Sequence, residues 1–405
     1  MTLATRPKPL VIADARSETG DAIDLVVSES VIAALGPNAA GAVAPDVPRL
    51  AAEGRLLTAP FVDGHIHLDK TLIGLPFISH IPGPSIAKRI DAEKRIRREL
   101  RGPIQQRGGK LIEQIIAYGT LAVRSHVDID TEIGLKGLEA VLSLKESHGR
   151  LVDIQTVAFP QSGVLRDPGT EDLLDAAIAA GADLVGGLDP AGIDHDIEGQ
   201  LDAIFGIAEK HGVGLDIHLH DGGTLGAFEL RQIAARTVAA GLDGKVAVSH
   251  AFCLGELDDR DFGAAAEALS RADVAIMTNG PGPVSMPPVK RLMAEGVRVF
   301  CGSDNIRDAW SPFGNGDMLE RAAIVCDRQN FRADAELADA FRLVTTAPAS
   351  VIGRSQVLQV GAPADFCLLH AGSIAEAVAS RSTDRIVFRG GVMLANGGRL
   401  LGAHA

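Results

Sequence analysis

The chain has 405 residues, of which 46% are hydrophobic and 22% charged, with a formal net charge of −13. That length and balance support a large core, and the acidic surface excludes nucleic acid as a partner, because phosphate binding calls for clustered Lys and Arg. No apolar stretch reaches the roughly 18 residues of a membrane span, so no membrane partner is expected.

In chain order, Arg6 and Lys8 stand near the start with no apolar run behind them, so no secretory signal is expected. Short alternating strands such as Leu10-Val11-Ile12 and Leu25-Val26-Val27 then lie between Gly/Pro turns. The run Phe61-Val62-Asp63-Gly64-His65-Ile66-His67-Leu68-Asp69-Lys70 follows. In an extended chain residues i and i+2 share a face, so His65 and His67 are placed to reach one ion. Residues 86–114 form an expanded, charged connection in which Asp91/Arg95 and Glu93/Arg97 have i,i+4 helical spacing. It reads as a solvated helix face or a subunit contact, with a lid as the alternative.

From there β-branched runs recur about every 30 residues, the length of one strand-helix unit. They cover residues 120–128, 152–159, 184–189, 215–220, 246–251, 274–279 and 297–304, with Ala-, Leu- and Glu-rich helical segments between them. With the run ending at His67 they make eight. The predicted fold class is α/β, a (β/α)8 TIM-like barrel over residues 59–354. Residues 355–405 return to short alternating strands around 364–369 and 385–388. Neither end can form a core alone, so residues 1–58 and 355–405 are predicted to build one small β-sandwich domain. Cys253, Cys301, Cys326 and Cys367 show no C-x-x-C spacing and read as reduced thiols of a cytoplasmic protein.

In such barrels chemistry sits at the C-terminal strand ends. His65, His67, His126, Gln161, Asp189, His218, His250 and Asp304 fall at or just past them. His65, His67, His218 and Asp304 are the predicted metal ligands. Three imidazoles and one carboxylate suit Zn2+, with Fe2+ and Mn2+ as alternatives. A bound ion lowers the pKa of its water toward neutrality and yields a hydroxide nucleophile, and Asp304 is placed to take the proton. The fourth strand ends in Gly186-Gly187-Leu188-Asp189-Pro190 without the lysine of binuclear sites, which favours one ion. Asp221 is the candidate acid toward a ring nitrogen and a leaving amine, or else a helix cap. His250 is the candidate partner of the hydroxide or a developing oxyanion.

Gln161, Lys70, His220 and Trp310 are candidate substrate contacts. The Gln161 amide suits a heterocycle edge, Lys70 a substrate oxygen or else an outward salt bridge, His220 a substrate contact or else support behind the ligands, and Trp310 a pocket wall or loop packing. His126 and Asp128 are expected to support the ligands from behind, while His80, His148, His195, His211, His370 and His404 read as surface residues. Gly280-Pro281-Gly282-Pro283 lacks the free N–H groups of a phosphate loop, and no G-x-S-x-G elbow exists.

The motifs FVDGHIHLDKT, HVDID, DIQTVAFPQSG, DLVGGLDPA, DIHLHD, VSHA, GSDNIRDAWSPFGNGDM and GAPADF resemble those of the amidohydrolase superfamily, in its cytosine deaminase-like branch, over essentially the whole chain. The resemblance implies that a metal-bound hydroxide displaces ammonia or an alkylamine from a nitrogen heterocycle. It also implies the same four metal ligands, His250 and Gln161 facing substrate, the composite terminal domain and a homo-oligomer. The chain departs from cytosine deaminases at Asp221, where they carry Glu, and at His220 and Asn305, where they carry Asp. Asn305 is accordingly a further substrate-contact candidate. The shorter Asp221 and the cationic Lys70 point to a substrate richer in carbonyl oxygens, of the oxo-pyrimidine or oxo-triazine type. A cyclic amidase opening a ring C–N bond is the alternative, and a non-catalytic binding protein a more distant one.

Overall fold

The computed structural model describes residues 9–80, 83 and 85–402, so Arg6, Lys8 and His404 lie outside the described residues. Two compact units emerge: residues 1–62, 113–122 and 316–405 form one, and residues 63–112 and 123–315 the other.

Five strands open the chain: β1 (Leu10–Arg16), β2 (Ala22–Ser28), β3 (Val31–Gly36), β4 (Arg49–Ala51) and β5 (Leu56–Thr58). The barrel strands are β6 (Phe61–Ile66), β7 (Thr120–Asp128), β8 (Asp153–Phe159), β9 (Leu184–Leu188), β10 (Gly214–Leu219), β11 (Val246–His250), β12 (Ala275–Thr278) and β13 (Val299–Cys301). They lie side by side in chain order, in parallel register where, for example, His218 faces Ser249 and Ile276 faces Val299. Ile66 bridges Asp304, and the Asp304 N–H donates to the His65 carbonyl at 2.7 Å, which brings the first and last strands together. The result is the expected eight-stranded, near-closed parallel barrel. Strands buried on both faces read as near-continuous apolar runs, and all nine residues of β7 are buried although Arg124, Ser125, His126 and Asp128 are among them. Polar side chains inside a barrel must find partners there, and the chemistry below is built from them.

Helices α1 (Ile86–Glu99), α2 (Ile104–Ala117), α3 (Lys136–His148), α4 (Thr170–Ala179), α5 (Ile197–His211), α6 (Gly223–Ala239), α7 (Asp259–Arg271) and α8 (Val289–Ala294) connect these strands. Their ends are written locally. Asp196 caps α5 through the Gly199 N–H at 2.9 Å, and Gly212 closes it at φ 69°, a left-handed conformation that favours glycine. In α1 the expected Glu93/Arg97 pair gives way to tertiary partners. Glu93 turns inward to Lys70 and to the Trp310 indole N–H, while Arg97 reaches Asp130 at 3.0 Å. An exposed i,i+4 pair contributes only a few tenths of a kcal/mol, so buried charge-assisted partners outcompete it. Among the described residues no helix is long and apolar enough to cross a membrane.

After the barrel come α9 (Met318–Arg328), α10 (Asp334–Arg342), α11 (Thr346–Val351), β14 (Phe366–Leu369), α12 (Ile374–Ser380), β15 (Arg385–Arg389), β16 (Val392–Asn396) and β17 (Arg399–Leu400). The early and late strands share one nine-stranded mixed sheet, joined where β5 pairs antiparallel with β14. Its core combines Ile12, Leu25, Ile32 and Leu57 with Phe366, Leu368 and Phe388, so neither terminus needs a core of its own. In the same unit Arg385 is fully buried and holds Asp317 bidentately at 2.8 Å on both oxygens. Breaking a buried pair strands the remaining charge. Arg385→Met is therefore expected to lower unfolding free energy by about 3–5 kcal/mol, measured by urea denaturation. An unchanged midpoint would refute it.

Candidate metal centre

Successive strand ends deliver the site. His65 is the penultimate residue of β6 with His67 just beyond its end, His126 lies on β7, His218 on β10, His250 closes β11, and Asp304 follows β13. Close approach of β13 to β6 needs Gly302, because a Cβ there would stand 2.5 Å from the His65 backbone nitrogen. Asp189, His250, Ala251 and Asp304 all have positive φ, between 37° and 76°. Such conformations cost about 1–3 kcal/mol each and persist where the surroundings over-determine them.

The side chains converge. Asp304 Oδ1 lies 3.3 Å from His67 Nε2 and 3.6 Å from His65 Nε2. Ligand-capable atoms of His65, His67 and Asp304 fall within 4.8 Å of one another, and so do those of His65, His126 and His218. The His65 and His218 rings are 4.7 Å apart. His65 Nε2 and both nitrogens of His218 and His126 are buried without a hydrogen-bond partner. Several orphaned nitrogens in one place are costly, and a cation is the partner they fit. Burial, reinforced by neighbouring rings, holds His65, His126 and His218 well below the usual imidazole range. Burial alone would raise Asp304, but its contact with His67, together with the nearby His250 and His65, holds it well below the usual carboxylate range. Neutral imidazoles beside an ionised carboxylate are in the protonation state that binds metal.

Further partners orient these groups. His67 Nδ1 donates to the His126 carbonyl at 3.2 Å, and the Asn279 amide donates to Asp304 Oδ2 at 2.7 Å. Arg124 donates to Asp216 Oδ2 at 2.8 Å, the Ser249 hydroxyl donates to Asp216 Oδ1 at 2.7 Å, and His65 Nδ1 lies 2.9 Å from that hydroxyl. With its proton committed to Asp216, Ser249 accepts from His65 Nδ1–H, which leaves the Nε2 lone pair toward the site. Ser249→Ala and Asp216→Asn are expected to weaken metal affinity about 10–100-fold, measured by chelator competition. Wild-type affinity in both would remove the relay.

Two more histidines face the cluster. His220 Nδ1 pairs with Asp189 Oδ2 at 2.9 Å, and its ring stacks on His250 at 4.6 Å. Burial opposes the charge on His220, but Asp189 outweighs it and raises the group, whereas burial and then His220 push His250 down to about 4. Adjacent groups driven apart in this way are suited to different roles in proton transfer. Asp221, expected as the acid, is turned elsewhere: its Oδ2 accepts from the Gly192 N–H at 2.8 Å. Residues alternate along β10, so His218 and His220 share the interior side while Asp221, past the strand end, meets the loop after β9.

Lys70 is buried rather than outward. It pairs with Asp128 at 2.9 Å and with Glu93 at 3.5 Å, and it donates to the Gln161 amide oxygen. Burial opposes its charge, but Asp128 and Glu93 outweigh it and hold it firmly protonated, while burial pushes Asp128 up to about 6. Trp310 packs with Ile90, Phe159, Leu188 and Ile193, and the Phe159 ring stacks on His218 at 3.9 Å, so an apolar wall adjoins the cluster. Asn305 is engaged by its own loop, donating to Asp308 Oδ2 at 2.7 Å. His126 joins the cluster itself, and Asp189, Asn279 and Ser249 were not singled out for these partnerships by sequence. Position at a strand end marked Asp189, but nothing local marked Ser249 or Asn279.

The sequence profile of the amidohydrolase family matches residues 110–392. The chain belongs to the amidohydrolase family. This amidohydrolase is 33% identical over 346 residues to the N-isopropylammelide isopropyl amidohydrolase of Pseudomonas sp. (strain ADP), covering 84% of this chain and 86% of that one. Among solved structures it is similar to N-isopropylammelide isopropylaminohydrolase from Burkholderia multivorans ATCC 17616, with a TM-score of 0.93 and 40% identity over 97% of this chain and all (100%) of that one. It is also similar to 5-methylcytosine deaminase from Klebsiella pneumoniae, with a TM-score of 0.82 and 26% identity over 95% of this chain and 98% of that one. The family is metal-dependent, and this member is a hydrolase acting on C–N bonds.

Proposed function

We propose that this amidohydrolase displaces an alkylamine or ammonia from the carbon of an oxo-substituted nitrogen heterocycle, of the oxo-triazine or oxo-pyrimidine type. The observation that carries it is the convergence of unpartnered, neutral imidazoles on the ionised Asp304, beside His220, paired with Asp189 and stacked on His250. His65, His67, His218 and Asp304 would hold one divalent ion, Zn2+ by its preference for imidazole and carboxylate. Bound there, the ion supplies Lewis-acid charge that makes a water nucleophilic near neutral pH.

The remaining steps belong to side chains. Asp304 accepts the proton of the attacking water. His250, kept neutral, donates a hydrogen bond to oxygen at the reacting carbon. His220, paired with Asp189, delivers a proton to the departing amine; Asp221 acts through the loop it holds. Because Lys70 occupies the Gln161 amide oxygen, Gln161 turns its amide N–H donors toward substrate, which suits a ring rich in carbonyl oxygens. The wall of Phe159, Leu188, Ile193 and Trp310 favours an alkyl substituent on the leaving nitrogen, in keeping with the substrates named for the relatives. The four free, buried cysteines fit a reducing, cytoplasmic setting.

The test is amine and ammonia release by metal-loaded protein from amino- and alkylamino-substituted oxo-triazines, oxo-pyrimidines and cytosine. The expected result is amine release, fastest from alkylamino oxo-rings. A product that gains water without losing an amine would make the protein a ring-opening cyclic amidase. Cytosine turned over far faster than any oxo-ring would overturn the substrate class.

A further inference from the structure

Helix α1 carries Ile86, Ile90, Glu93 and Arg97 at i, i+4, i+7 and i+11, which is one face of a helix. Ile86 and Ile90 belong to the apolar group of Phe159, Leu188, Ile193 and Trp310. Glu93, one turn further on, is buried all the same. A buried carboxylate needs partners, and Glu93 has two that differ in kind. Its Oε2 accepts from the Trp310 indole N–H at 2.8 Å, and both of its oxygens stand 3.5 Å from Lys70 Nζ. Lys70 is already paired with Asp128 at 2.9 Å, so one carboxylate answers its charge without Glu93. What Glu93 adds is a link between Lys70 and Trp310. Lys70 donates to the Gln161 amide oxygen; an ammonium only donates, so the amide NH2 is the end left for a ligand. The same ammonium stands 5.6 Å from the Trp310 ring centre and 5.4 Å from that of Phe159.

We infer that Glu93 is a positioning residue that couples two halves of substrate selectivity. Through Lys70 it fixes the Gln161 amide as a donor toward a ring carbonyl, and through Trp310 it fixes the apolar wall beside the leaving alkyl group. This rests on the reading of the site as an aminohydrolase of oxo-rings. Without its acceptor the indole N–H is left unsatisfied, a cost the side chain escapes by moving toward water. Without Glu93 the Lys70 ammonium is drawn to Asp128 alone, and the Gln161 amide is free to turn over and offer its oxygen instead. Selectivity at both ends of the pocket therefore falls together when Glu93 is lost.

Trp310 is the single tryptophan of the chain, so its fluorescence reads the Glu93 tether without any substrate. Glu93→Leu removes both partnerships, whereas Glu93→Gln keeps an oxygen for the indole and sets an amide NH2 toward Lys70. In the free protein Glu93→Leu is expected to shift emission to the red and to open the ring to acrylamide, with Glu93→Gln close to wild type. Emission and quenching unchanged in Glu93→Leu overturn the tether. In turnover two ratios of kcat/KM are read: an oxo-ring over its amino counterpart, and an alkylamine over ammonia as leaving group. Glu93→Leu is expected to lower both about tenfold through KM, with kcat within about threefold of wild type. Glu93→Gln is expected to lower the first ratio only, a split that general loosening of α1 would not produce. With Gln161→Leu already in place, adding Glu93→Gln is expected to change the first ratio less than about twofold, because the donor it orients is gone. Ratios that survive Glu93→Leu, equal losses of both in Glu93→Gln, or a full further loss in the Gln161→Leu background overturn the positioning role and leave the proposed function intact. Altered fluorescence with no amine released from any ring would instead sink the proposed function and leave the tether standing.

Discussion

Asp304→Asn is expected to lower kcat/KM by about 10³–10⁴-fold while leaving the far-UV spectrum and thermal midpoint close to wild type. Asparagine keeps the shape and an oxygen for the Asn279 amide, now 2.7 Å from Asp304 Oδ2. It removes the charge that faces His67 and His65 at 3.3 and 3.6 Å and the group that accepts a proton. Steady-state amine release, with metal content measured on the same sample, separates the two losses. Reduced metal content identifies Asp304 as a ligand, and full content with no turnover identifies it as the base. Activity within about tenfold of wild type would take Asp304 out of the mechanism.

The second large effect concerns His220. Glutamine there is expected to reduce kcat by about 10²–10⁴-fold for poorly leaving alkylamines. Far less should be lost with a leaving group that departs without a proton. The reason is the proposed division of labour after β10 and β11: Asp189 raises His220 above the usual imidazole range, whereas burial and then His220 push its stacked neighbour His250 down to about 4. Losses that ignore the leaving group would show His220 to be a binding residue only. If Asp221→Asn shows the leaving-group dependence and His220→Gln does not, the acid is Asp221 after all.

The barrel was legible because a period of about 30 residues reports one strand-helix unit after another, and a closed parallel sheet is the economical way to bury eight such strands. The pairing of His65 with His67, and of His218 with His220, followed from the two-residue alternation of extended chain. Helix ends such as Asp196 and Gly212 were equally local. What failed did so for one physical reason. Glu93 stands four residues before Arg97, yet it is drawn to Lys70 and Trp310. Asn305 is taken by Asp308, and His126 sits within the cluster rather than behind it. Weak local preferences lose to buried, charge-assisted partners supplied from elsewhere in the chain.

By itself, then, the order of residues determined the strand-helix alternation, the strand ends at which polar groups collect, and the family. Only the tertiary structure decided the partners at those ends: that Ser249 donates its hydrogen bond to Asp216 so that His65 presents Nε2, that His220 rather than Asp221 faces His250, and that Glu229 holds the loop of Asp189. Alternation along a strand is short-range geometry, readable over a few residues. The partner of a buried charge is whichever group the closed barrel brings within about 3 Å, and segments as distant as Asp63 and Ser303 meet only after it has closed.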